Sequence, residues 1–142
     1  MKQLTLDIWA EEYAVYRLPT GTELPVRLFD SSRPGLVSVT RTRQETSIVC
    51  PADLAGTGEY VERGWRAMTV RGPLEFTLTG IMAALSGALA AAGVTLFALS
   101  TYDTDHVLVK QADLQRAVLA LREAGHAVHD DPPADAGTGA GA

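Results

Sequence analysis

The chain has 142 residues, which points to one domain or two very small ones. Hydrophobic residues make up 46% and charged residues 20%, so the chain is a globular protein and not a disordered one. A formal net charge of -5, with no Lys/Arg run, argues against a bulk role on nucleic acid or an anionic membrane surface. The lone cysteine, Cys50, forbids an internal disulfide and fits a reducing cytoplasm, which is the expected location. The first residues lack the apolar core of a secretory signal.

Taken in chain order, residues 4–9 and 13–18 read as two strands around an Ala10-Glu11-Glu12 turn. Pro19, Gly21, Pro25, Pro34 and Gly35 then leave room for one helical turn at most. Residues 36–42 and 46–50 form a hairpin across Arg43-Gln44-Glu45, and residues 51–55 suit a short turn of helix. A loop with Gly56, Gly58 and Gly64 joins the two halves.

The second half has clearer helices. Residues 65–70 alternate as a strand, which Gly72-Pro73 ends. Thr79 offers an N-cap hydroxyl to an Ala-rich helix whose stripe is Ile81, Leu85, Ala88, Leu89 and Ala92, with Gly93 as its C-cap. Residues 94–100 read as a buried strand, 101–105 as a turn, and 106–110 as the returning strand. A second helix follows Asp113, with Leu114, Ala117, Val118 and Leu121 on its apolar side and Gly125 at its end. Residues 126–129 suit a closing strand. The order β-α-β-β-α-β is the ferredoxin-like pattern: an α+β sandwich with two helices on one face of an antiparallel sheet. From Asp130 the chain turns to Asp, Pro, Gly and Ala, and a disordered tail is expected over 130–142. Residues 76–102 carry no charge and are long enough to cross a bilayer. They are rich in Ala and Gly, however, and Gly93 splits them, so they read as a buried helix followed by a strand.

Three segments resemble a known family. They are Gly72-Pro73-Leu74-Glu75-Phe76-Thr77-Leu78-Thr79-Gly80-Ile81, the Ser100-Thr101-Tyr102-Asp103-Thr104-Asp105-His106 run, and Ser47-Ile48-Val49-Cys50-Pro51. Together they resemble ACT-domain proteins, of the branch shared by small bacterial tandem-ACT proteins and the CASTOR arginine sensors. The resemblance implies two ACT-like units in tandem: 1–60 with reduced helices, and 61–129 as a full ACT domain. It also implies an amino acid or similar small zwitterion bound at an interface between ACT units, in a homodimer, with no cofactor. Carried over position by position, the ligand contacts would be Leu78, Thr79, Gly80 and Ile81, then Thr101, Tyr102 and Asp105. Thr95 and Leu96 would face the neighbouring unit. Leu78 departs from the pattern. The arginine-binding sensor has an acidic residue there, and a leucine cannot accept hydrogen bonds from a guanidinium. The expected ligand is therefore an amino acid, with arginine in doubt.

The residues themselves support a site at the same place. A helix N-terminus beginning at a glycine favours a carboxylate, and Asp105 suits an α-ammonium group. Tyr102 and Leu78 would line the apolar side. The plainer reading stays open: Thr79 caps a helix and Asp105 caps a turn. The remaining candidates are weaker. The Asp103-to-His106 cluster with His126 and His129 lacks metal-ligand spacing, and its histidines read as solvated. Cys50 closes an apolar strand and reads as inert, so no catalytic residue is assigned and the chain is not expected to be an enzyme. Gly56-x-Gly58 lacks the setting of a dinucleotide site. Trp9 and Trp65 read as core or interface anchors. The main alternative to ligand binding is a structural dimerisation module without a ligand.

Overall fold

The computed structural model describes residues 3–58, 60–72 and 80–130. Its elements in chain order are β1 (Thr5–Leu18), β2 (Ser38–Arg41), β3 (Thr46–Pro51), β4 (Val61–Val70), α1 (Ile81–Ala91), β5 (Leu96–Ser100), β6 (Asp105–Lys110), α2 (Leu114–Glu123) and β7 (Ala127–His129). Short 3₁₀ turns at Val26–Phe29, Ala52–Leu54 and Gln111–Asp113 complete the list. The fold is α+β, as the pattern of periods predicts.

The described residues form two compact units. One holds the chain up to Ala10 and from Arg66 onward; the other holds Glu11–Trp65. β1 and β4 each pass from one unit to the other. This corrects the expectation of two short strands around Ala10-Glu11-Glu12. β1 runs unbroken for 14 residues. In its polar middle Ala10 and Glu12 are exposed and Glu11 is half-buried, and the Glu12 carboxylate accepts a hydrogen bond from the Gly64 N–H at 2.9 Å.

In the helical unit, the first half of β1 lies between β7 and the second half of β4, followed by β6 and β5. β1 and β7 are parallel, with Leu6 opposite Val128, while β5 and β6 are antiparallel, with Leu96 opposite Val109. A ferredoxin-like βαββαβ unit would set its first and last strands side by side. Here a strand from the start of the chain is inserted between them. The Arg71 N–H donates to the Thr5 carbonyl at 2.7 Å, and the Ala127 N–H donates to the Leu4 carbonyl at 2.9 Å, tying that strand in on both sides.

Alternation sorts the strand residues by face. Leu4, Leu6, Ile8, Met68, Val70, Val107, Val109 and Val128 turn to one side and pack with Ile81, Leu85 and Leu89 of α1 and Ala117, Val118 and Leu121 of α2. Both predicted helical stripes are therefore core. β5 corrects an expectation: it is an edge strand, half-buried along its length and not fully buried. Among the described residues, no helix is long and apolar enough to cross a membrane.

In the other unit, β2 and β3 form the predicted hairpin, and β3 pairs antiparallel with the second half of β1, Val15 opposite Val49. Its core is Tyr16, Leu28, Ile48, Cys50 and Leu54. The proline- and glycine-rich connection holds only the Val26–Phe29 turn. Tyr13 is fully buried, and its phenol oxygen accepts the Leu36 N–H at 2.9 Å. Gly35 beside it has φ +109°, and a Cβ there would lie 3.0 Å from the Pro51 ring and 3.1 Å from the Tyr13 hydroxyl, so a side chain at this turn is both strained and crowded.

Candidate functional site

The candidate residues divide by which end of the helical unit they occupy. A helix in a βαβ connection packs antiparallel to the strand that follows it. The start of α1 and the end of β5 therefore share one end. Gly80 and Ile81 stand at that start, and the residues 101–105 turn stands at that end. A hydrogen bond ties β4 to the same place: the Thr104 hydroxyl donates to the Val70 carbonyl, the last of β4, at 2.5 Å. Thr95 and Leu96 lie at the opposite end. Leu96 pairs with Val109 while Ser100 pairs with Asp105, so about 13 Å of strand separates the two groups. They cannot share one small ligand within a single unit. Thr95 is exposed, and Leu96 packs against the core. Leu78 and Thr79 lie outside the described residues.

The α1 terminus differs from expectation in one respect. The N-cap position falls on Gly80, not Thr79, and among the described residues no side chain caps the helix there. Gly80 has φ +80°, the left-handed region that glycine enters without a Cβ clash. Its carbonyl accepts the Ala84 N–H at 2.9 Å, the first bond of the helix. Ile81 is buried and anchors the first turn in the core.

The 101–105 turn is held by its own polar groups. The Thr101 N–H donates to the Thr104 carbonyl at 2.9 Å, and the Ser100 hydroxyl donates to an Asp105 carboxylate oxygen at 2.5 Å. Asp105 is half-buried, so Ser100 fixes one of its oxygens and leaves further lone pairs for a cation. The Tyr102 ring is 81% exposed at the tip of the turn.

Behind the turn, on the sheet face opposite the helices, runs a polar row that the sequence does not reveal. Trp9 Nε1 donates to Thr69 Oγ1 at 2.7 Å, and Thr69 Oγ1 lies 2.8 Å from His106 Nδ1. With Trp9 donating, the Thr69 proton is left for Nδ1, which holds His106 as the neutral Nε2–H tautomer. Burial lowers the His106 pKa, against an opposing pull from Asp105. Next along the face, Arg71 grips Asp7 with two bonds, Nε to Oδ2 at 3.1 Å and Nη2 to Oδ1 at 2.6 Å. Asp7 is only 8% exposed, so this pair is a fixed part of the sheet. The expectation of solvated histidines holds for His129 alone. His106 and His126 are each 7% exposed, and His126 Nδ1 accepts the Leu4 N–H at 3.1 Å. The only signal for these roles in the sequence is parity: Asp7 and Trp9 alternate with Leu6 and Ile8, and Thr69 and Arg71 with Met68 and Val70.

Cys50 is fully buried, and burial pushes its thiol up to about 11, so the thiolate needed for nucleophilic chemistry is suppressed. Trp65 is a buried anchor as expected.

Comparison with known proteins agrees with this architecture. The family model of the ACT domain matches residues 60–123. The cytosolic arginine sensor for mTORC1 subunit 1 of Rattus norvegicus is 34% identical over 115 residues, covering 79% of this chain and 34% of that protein. The chain thus spans about a third of the length of that relative. A crystal structure of an Agrobacterium tumefaciens protein superimposes with a TM-score of 0.83 at 34% identity, covering 92% of this chain and 96% of that one. The ligand-free regulatory subunit of aspartate kinase from Thermus thermophilus has a TM-score of 0.62 at 12% identity, covering 87% and 99%, a likeness of fold alone. The chain belongs to the ACT-domain family.

Proposed function

We propose that this chain is a regulatory module that binds a free amino acid at the end of the helical unit where α1 begins, against an ACT unit of a second copy. The observation that carries the reading is that one end of the unit holds both a helix start at Gly80, which no described side chain caps, and a half-buried carboxylate at Asp105 held by Ser100. The helix N–H groups suit an α-carboxylate and Asp105 suits an α-ammonium group, so the two ends of a zwitterion each find a partner. Tyr102, Ile81, Leu78 and Thr79 complete the expected contacts, and Thr95 and Leu96 would serve the interface with the second copy. A relative that is a cytosolic arginine sensor supports the amino-acid class and a cytoplasmic setting. Leu78 argues for a ligand other than arginine.

A thermal-shift screen of the common amino acids tests this. A ligand at about 100 times its dissociation constant should stabilise the fold by about 2.7 kcal/mol, and Asp105→Asn should remove the shift. A fixed dimer that responds to none of them would favour the structural module instead.

A further inference from the structure

A second feature of the helical unit stands apart from that end. Between α2 and the helix-facing side of the sheet lies an open cleft of about 510 Å³, within the range of small-molecule sites. Its floor is apolar, formed by Ile8 and Val118, both core residues. Leu119 is part of the wall although it is 60% exposed. Two guanidiniums, Arg66 and Arg122, and one carboxylate, Asp130, also line it.

The charges there are only partly used. Arg66 Nη2 donates to the Trp9 carbonyl at 2.9 Å, while its Nε is covered from solvent and has no hydrogen-bond partner. Arg122 Nη2 donates to the Val128 carbonyl at 2.7 Å. Among the described residues neither guanidinium has a carboxylate partner. The guanidinium N–H groups not spent on these two carbonyls are the donors that a carboxylate in the cleft could meet, and such charge-assisted bonds are among the stronger ones. Both carbonyl bonds also hold the guanidiniums in place, so little side-chain freedom is lost on binding. A simple hydrophobic anion would leave Asp130 facing like charge. A zwitterion uses all three groups.

We propose that this cleft is a second ligand site, taking a free α-amino acid with an apolar side chain. Its carboxylate lies against Arg66 and Arg122, its ammonium group against Asp130, and its side chain against Ile8, Val118 and Leu119. The site uses none of the residues proposed at the α1 end, so either can fail without the other.

The test is an amide NMR titration of the full chain with L-leucine, run beside isocaproate, which lacks the amine, and isoamylamine, which lacks the carboxylate. Leucine should shift the Val118 and Leu119 amides, and each analogue should bind about tenfold more weakly or worse. Arg66→Met, which keeps the aliphatic bulk, and Asp130→Asn should each weaken leucine by a similar factor, while Asp105→Asn leaves these shifts unchanged. The proposal is overturned by any of three results. The Val118 and Leu119 amides stay still at millimolar leucine; their shifts survive Arg66→Met and Asp130→Asn; or they respond only to protein concentration and fall silent in Leu119→Lys, which would make the cleft a contact between copies.

Discussion

The two units solve the same packing problem with different means. The helical unit covers its sheet with two helices, and its core is almost wholly aliphatic, from Leu4 and Met68 to Leu85, Leu89 and Leu121. The other unit has 3₁₀ turns where helices would lie, and its interior includes the phenols of Tyr13 and Tyr16 and the thiol of Cys50. Burial raises the pKa of all three, so each stays neutral and works as packing. In the helical unit the buried polar groups are held separately: His106 by Thr69, Asp7 by Arg71, and His126 by the Leu4 N–H. Where helices supply the core on one face, the other face carries polar groups such as Thr69 and His106 beside buried Ala67 and Leu108.

Core truncation should expose that contrast most strongly. Leu85→Ala should cost about 3–4 kcal/mol, because α1 and the sheet enclose that side chain completely. Leu28→Ala, in a turn over the smaller core, should cost about 2 kcal/mol, since a short turn collapses more easily into the void. Urea denaturation of both variants checks the difference, and equal losses would erase the distinction. Asp7→Ala comes next, at about 2 kcal/mol, because it leaves Arg71 without its bidentate partner. High salt should reduce the loss only in part, since Asp7 is buried while the Arg71 side chain is 46% exposed. Gly80→Ala forces a Cβ into the left-handed region and should cost about 1–2 kcal/mol by the same assay.

The smallest effect is on pH dependence. The His106 pKa is lowered in the folded state, so the unfolded chain takes up this proton first as pH falls. Stability should therefore decline as pH drops below the ordinary histidine range of about 6.5, and level off once the folded form is protonated as well. His106 faces Thr69 and adjoins Asp105, and His106→Gln should flatten the decline. An unchanged pH profile in that variant would assign it to other groups.

Local chemistry was legible in the chain and long-range placement was not. The stripes of α1 and α2 follow from spacing, and the 43–45 hairpin and the 101–105 turn follow from residue type. The continuity of β1 through Ala10-Glu11-Glu12 is hidden, because two adjacent charged residues in the middle of a strand look like a turn. The insertion of β1 between β7 and β4 is a tertiary fact that no window of sequence contains. The buried histidines escaped for the same reason: Thr69 lies 37 residues before His106, and Leu4 lies 122 before His126. At the candidate site, Gly80, Thr101 and Asp105 follow from motif and chemistry. Ser100, Thr104 and the Thr69 relay become visible only when the strands are side by side.

In the proposed function, the start of α1 and the 101–105 turn receive one ligand together. Backbone amide shifts followed during titration with each common amino acid test it most directly. One of them should move Gly80, Ile81, Thr101 and Asp105 with a single shared affinity, and Asp105→Asn should abolish the movement at all four. If no amino acid moves these amides, or if the two segments respond with different affinities, the claim is wrong.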